Sequence, residues 1–143
     1  NLDNNGHVVC YYFHMIGRNA QIAIAALVEL AKNEKRMSAV EIAECAEIAQ
    51  PSVAKVLSTL RNGKFIVSVP GPGGGFSLSR PSDELNVLEV CTFFDLQTAM
   101  PEDCTITCDC SDESPCKVCG ALKNVDDLRD STLREITIAS LVA

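Results

Sequence analysis

Five of the eight cysteines stand within sixteen residues, in Asp103-Cys104-Thr-Ile-Thr-Cys108-Asp-Cys110-Ser-Asp-Glu-Ser-Pro-Cys116-Lys-Val-Cys119-Gly120. Five residues separate Cys104 from Cys110, five more separate Cys110 from Cys116, and Cys119 follows after two. Thiolates crowded on one loop are soft, charged ligands. They suit an iron–sulfur cluster or a structural zinc ion. Cys104, Cys110, Cys116 and Cys119 can wrap one such site without long-range folding, and spacing alone leaves both metals open. Cys108 lies between two of these and can stand in for either. Cys10, Cys45 and Cys91 stand singly in apolar or helical surroundings and read as small buried hydrophobes.

Such crowding is not the pattern of a disulfide scaffold. Bridges between distant segments constrain the unfolded chain most, so half-cystines are usually spread out. Reduced thiols and a cytoplasmic setting are therefore expected. No secretory signal is read at the N-terminus, and no apolar run approaches the roughly 18 residues that span a membrane. With 143 residues there is room for one domain and a genuine core. No acid–base pair or phosphate loop suggests an enzyme, and from Met15 onward there is no Cys–His pair.

The net charge of −7 at first argues against nucleic acid, but its distribution matters more. Lys55, Arg61, Lys64 and Arg80 lie in a stretch from Ile48 to Ser82 that holds no acid, whereas thirteen acids face four bases from Asp83 onward. A mildly basic stretch inside an acidic chain fits DNA contact, and equally a solvated surface.

The elements that must position these groups are mostly helical. Ile22, Ala26 and Leu30 form an apolar stripe in a helix starting near Arg18. Ser38-Ala-Val-Glu41 is a capping-box pattern opening a helix over 39–45. Pro51, at the first helical position, opens a third, with Val53, Val56, Leu57 and Leu60 facing inward. Its other face offers Ser52, Lys55 and Thr59, which can reach base edges or phosphates. Arg61 and Lys64 are candidate phosphate contacts. Strands are expected over 65–69 and 76–79, joined by Pro70-Gly-Pro-Gly-Gly-Gly75. Gly73 and Gly74 are candidate DNA contacts at its tip, and equally the glycines of a tight hairpin. Helices are then expected over 87–95 and 121–135, flanking a cysteine loop over 101–120. The fold class is mainly α with a small β-hairpin: a winged helix-turn-helix followed by a long C-terminal dimerisation helix.

The run Ala26-Leu-Val-Glu-Leu-Ala31, Leu60-Arg-Asn-Gly63, the wing Gly71-Pro-Gly-Gly-Gly-Phe-Ser-Leu-Ser-Arg80, Leu88-Glu-Val90 and the cysteine triplet together resemble the Rrf-type winged-helix transcription regulators, in their cluster-binding branch. The resemblance covers 15–143. It implies an N-terminal extension over 1–14, a DNA-binding unit over 15–85, and a cluster and dimerisation region over 86–143. It further implies a homodimer on a palindromic double-stranded DNA operator, and no membrane. Operator affinity would be controlled by a [2Fe-2S] or [4Fe-4S] cluster. Cys104, Cys110 and Cys116 match the family's three ligands. Cys119 falls where one branch has a histidine, and Gln21 where another takes a carboxylate from the partner. Pro70 replaces a usual arginine, and Lys64 a common glycine. Zinc in a winged-helix interaction module, or a regulator without a cluster, is the alternative.

Overall fold

The computed structural model describes residues 16–33, 35–97 and 117–142. The expected N-terminal extension, Cys10, Cys104, Cys108, Cys110 and Cys116 lie outside these residues. Helix α1 is Arg18–Lys32. It buries Ala20, Ile22, Ala23, Ala26, Leu27 and Leu30, whose three- and four-residue steps put them on one face. Gln21 Nε2 donates to the Ile16 carbonyl at 2.6 Å, so this half-buried amide already serves the start of the helix.

Helix α2 is Ala39–Cys45, and its start is the expected capping box. Ser38 Oγ accepts from the Glu41 N–H at 3.2 Å, and Glu41 Oε2 accepts from the Ser38 N–H at 2.7 Å. Two donors that a helix start would leave orphaned are thereby satisfied. The Ser38 N–H, and then its hydroxyl, hold the Glu41 carboxyl below its ordinary value. A turn containing Glu47, at φ 55°, leads into α3, Gln50–Asn62. Gln50 takes the first helical position, so Pro51 sits one place further in than expected. That position lies in the first turn, where a missing N–H still removes no helix bond. Val53, Val56, Leu57 and Leu60 are buried as expected.

Strands β1, Ile66–Val69, and β2, Gly75–Leu78, pair antiparallel with Ile66 opposite Leu78 and Val69 opposite Gly75. Each begins within one residue of the expected start. The hairpin is also tied back to the segment before α2. Met37 N–H donates to Phe76 O at 3.0 Å, and Phe76 N–H to Met37 O at 2.7 Å.

Helix α4 is Val87–Gln97, and α5 is Lys117–Glu135. Asn86 Oδ1 accepts from Glu89 N–H at 2.9 Å, an N-cap contact for α4. Glu89 also forms an ion pair with Arg80 at the foot of the hairpin. After α5 the chain returns to the core. Val87 N–H donates to Ile136 O and Ile138 N–H to Leu85 O, each at 2.8 Å. Ile138 is fully buried in the same apolar cluster as Leu27, Ile42, Leu57, Leu60, Leu85 and Val90.

The capping box yields a test. Ser38→Ala is expected to lower unfolding stability by about 1 kcal/mol, read from a urea titration. The Glu41 share has a defined pH sense. Its folded value lies below the ordinary 4.5, so that share is present above 4.5 and fades as pH falls through the folded value. Stability of wild type and Glu41→Ala should accordingly converge in acid.

Candidate nucleic-acid interface and cysteine region

Helix α3 presents a polar face because Val53, Val56, Leu57 and Leu60 take the other one. Lys55 is exposed near the middle of that face, and Ser52 and Thr59 are half-buried along one flank. Thr59 Oγ1 donates to the Lys55 carbonyl at 3.3 Å. Its oxygen keeps accepting capacity toward an outside donor. These three residues follow one stripe. Arg61 does not join it: at 100° per residue it stands about 120° around the helix from Lys55. It is exposed on the opposite flank, toward the helix end.

Lys64 is exposed in the turn after α3, with φ 60°. The left-handed region that favours glycine is therefore occupied here by lysine. Ser79 Oγ clasps this turn, 2.6 Å from Lys64 O and 2.9 Å from Phe65 O. The wing proper has two glycines fixed by close approach. A Cβ on Gly74 would fall 2.2 Å from Val69 O, and one on Gly75 2.6 Å from Met37 O. Gly73, at φ 73°, is exposed, and a Cβ there would meet nothing within 4 Å. Between Lys64 and Arg80 the chain carries no charged side chain.

Sequence reasoning missed one feature of this face. Lys35 and Arg36, both exposed, line a cleft of about 850 Å³ together with Ser38, Glu41, Gly71, Gly73, Gly74 and Ser77. The local signal was present, since two cations directly precede Met37 and the capping box. Their nearness to the wing depends on the Met37–Phe76 bridge, a pairing across 39 residues that no local pattern reveals.

The cysteine region differs from expectation at its C-terminal end. Helix α5 begins at Lys117, four residues before the expected Ala121, so Cys119 and Gly120 are helical and not loop. Cys119 is the third residue of α5, and that first turn holds no acid. Cys104, Cys110 and Cys116 lie outside the described residues. Among the described residues no three His, Cys, Asp or Glu side chains gather as a metal site. Cys91 is buried as expected, whereas Cys45 is exposed. It ends α2, where the helix face that buries Ile42 has run past its neighbours.

Farther along α5, Val118, Val125 and Leu128 are 53%, 53% and 69% exposed. Their seven- and three-residue steps set them on one side of the helix. Leu133, in contrast, packs against the core. Among the described residues the C-terminal end of α5 is the part rooted in the body, and an apolar stripe stands exposed along the rest.

Comparison with known proteins agrees with this architecture. Residues 16–143 match the Rrf2 family, described as iron-dependent transcriptional regulators. BadM of Rhodopseudomonas palustris, named an HTH-type transcriptional regulator, is 30% identical over 131 residues, covering 87% of this chain and 79% of BadM. Among solved structures, IscR of T. potens superposes with TM-score 0.69 at 20% identity, covering 89% of this chain and 85% of that one. CymR of B. subtilis, titled a global cysteine regulator, gives 0.71 at 19%, covering 89% and 95%. At those identities the structural likeness establishes the fold alone.

The turn after α3 generates a test in which stability and charge separate. A left-handed conformation costs an L-residue about 1–2 kcal/mol. Glycine offsets about 0.5–1 kcal/mol of that relief through its unfolded-state entropy. Lys64→Gly is thus expected to stabilise the protein by about 0.5–1 kcal/mol in thermal melts. Lys64→Ala, which removes the same charge and keeps the strain, should show no such gain. Equal midpoints for the two variants would contradict the strain at this turn.

Proposed function

Because the chain belongs to the Rrf2 family of transcriptional regulators, we propose that it is a DNA-binding regulator whose operator affinity is set by an iron–sulfur cluster on Cys104, Cys110, Cys116 and Cys119. The observation that carries this reading is the thiol set itself, with Cys119 on the first turn of α5. When bound, a cluster supplies a redox- and ligand-sensitive centre whose stability depends on its thiolates. Cys119 would hold it from the first turn of α5, with Cys104, Cys110 and Cys116 as the other thiolate ligands. The description of the family as iron-dependent favours iron over zinc.

On the DNA side, Ser52, Lys55 and Thr59 form the reading stripe of α3. Arg61 and Lys64 meet phosphates beside it, and Gly73 and Gly74 let the wing backbone approach the duplex. A winged helix presents one such stripe, and a palindromic operator offers two half-sites about 34–36 Å apart. Two copies joined through the Val118, Val125 and Leu128 stripe would match it. No helix among the described residues is long and apolar enough to cross a membrane.

Anaerobic reconstitution with iron and sulfide, followed by visible absorption, tests the cluster. Wild type should turn brown. Cys104→Ala, Cys110→Ala and Cys116→Ala should each stay colourless, Cys119→Ala should bind weakly or not at all, and Cys108→Ala should match wild type. Colourless wild-type protein carrying one zinc per chain would overturn the cluster reading.

Assembly has its own test. Leu128 is largely exposed, so Leu128→Asp should leave the fold intact while converting dimer to monomer by light scattering. Operator affinity should fall with it by two orders of magnitude or more, roughly the loss of one half-site contact. A variant that remains dimeric would refute the stripe as the interface.

A further inference from the structure

We propose that the cleft between Lys35–Arg36 and the wing tip seats a backbone phosphate of bound duplex DNA. The inference rests on the DNA-binding reading above and adds a contact outside α3. Three observations converge on it. First, the wing carries no charged side chain between Lys64 and Arg80. Pro70, Gly71, Pro72 and the glycines after them can lie against DNA but bring no counter-charge to a phosphate. Second, Lys35 and Arg36 stand across the cleft from Gly71, Gly73 and Gly74, exposed. Among the described residues neither makes an ion pair, in contrast to Lys32 with Glu29 and Arg80 with Glu89. Third, the two walls are fixed to each other by the Met37–Phe76 pair of backbone hydrogen bonds. The backbone at Lys35 and Arg36 is therefore already held beside the wing before DNA arrives.

Among the described residues the one carboxylate lining the cleft is Glu41, and its Oε2 is engaged by the Ser38 N–H. Two cations against one carboxylate leave the described lining with a net positive charge. Arg36 brings a planar fork suited to phosphate oxygens, and Lys35 a mobile point charge. Duplex DNA is the ligand this geometry favours over a free anion. The cleft is open to solvent and shares its glycine wall with the wing.

Binding of the full-length protein to a short mixed-sequence duplex, measured across a salt series, tests this without knowledge of the operator. Each phosphate neutralised contributes about 0.9 to the slope of log affinity against log salt. The Lys35→Ala/Arg36→Ala variant should lower that slope by about 1. Lys32→Ala/Lys123→Ala, with the same change in net charge away from the cleft, should leave it unchanged. Lys35→Arg should keep the wild-type slope, which guards against a folding artefact in the double variant. If both double variants lower the slope equally, the effect is one of net charge and the phosphate seat is wrong. An unchanged slope in the cleft variant overturns the seat while DNA binding by α3 stands. If wild type binds no duplex at any salt, the DNA reading and the seat fall together.

Discussion

The rest of the molecule depends on one apolar core to which the C-terminal segment returns. Ile138 comes after the nineteen residues of α5, yet it is buried in the same cluster as Leu57 and Leu60, on the inner face of α3. Burying an isoleucine is worth about 1.5–3 kcal/mol. The backbone bonds from Ile138 to Leu85 and from Val87 to Ile136 add direction to that attraction. Together they fix the root of α5 against the start of α4, and so against the helix-turn-helix. A helix of nineteen residues is about 28 Å long. Its far end, where Cys119 sits, is held by this root and by whatever meets its exposed stripe.

Much of this could be read from residue types alone. Ser38 and Glu41 announce the start of α2, because their side chains satisfy two donors that the helix start would leave orphaned. The stripe of α3 is legible because Val53, Val56, Leu57 and Leu60 leave a single solvent-facing side. Cys119 was harder. Gly120 disfavours helix by about 1 kcal/mol against alanine, and a cluster of cysteines suggests a loop. The length of α5 overrides one unfavourable residue. Cys45 illustrates a limit of periodicity: it lies three residues after buried Ile42, but the helix ends there and it faces solvent.

Charge along the chain was legible only as a sum over segments. The acid-free stretch from Ile48 to Ser82 points toward DNA, yet it ranks Lys64 and Arg80 alike. In the fold, Arg80 is taken up by Glu89, while Lys64 stays exposed in a left-handed turn. Lys35 and Arg36 lie outside that stretch altogether. Their relevance comes from tertiary pairing, which places sequence-distant groups on one surface and is not encoded in local composition. A net charge of −7 is therefore compatible with a nucleic-acid face, provided that acids concentrate beyond Asp83.

The bridge between Met37 and Phe76 also sets rules for how such a chain can diverge. Surface connections usually tolerate insertions, since lengthening a loop costs little entropy. The connection from α1 to α2 is different. Met37 pairs with Phe76 on one side and adjoins the Ser38 cap on the other. One extra residue between them would force a choice between the wing and the helix start. The tip from Pro70 to Gly73 is under no such constraint, because Gly71 and Gly73 border open space. Length variation among descendants of this sequence should therefore collect at the hairpin tip, while the spacing from Met37 to Glu41 stays constant.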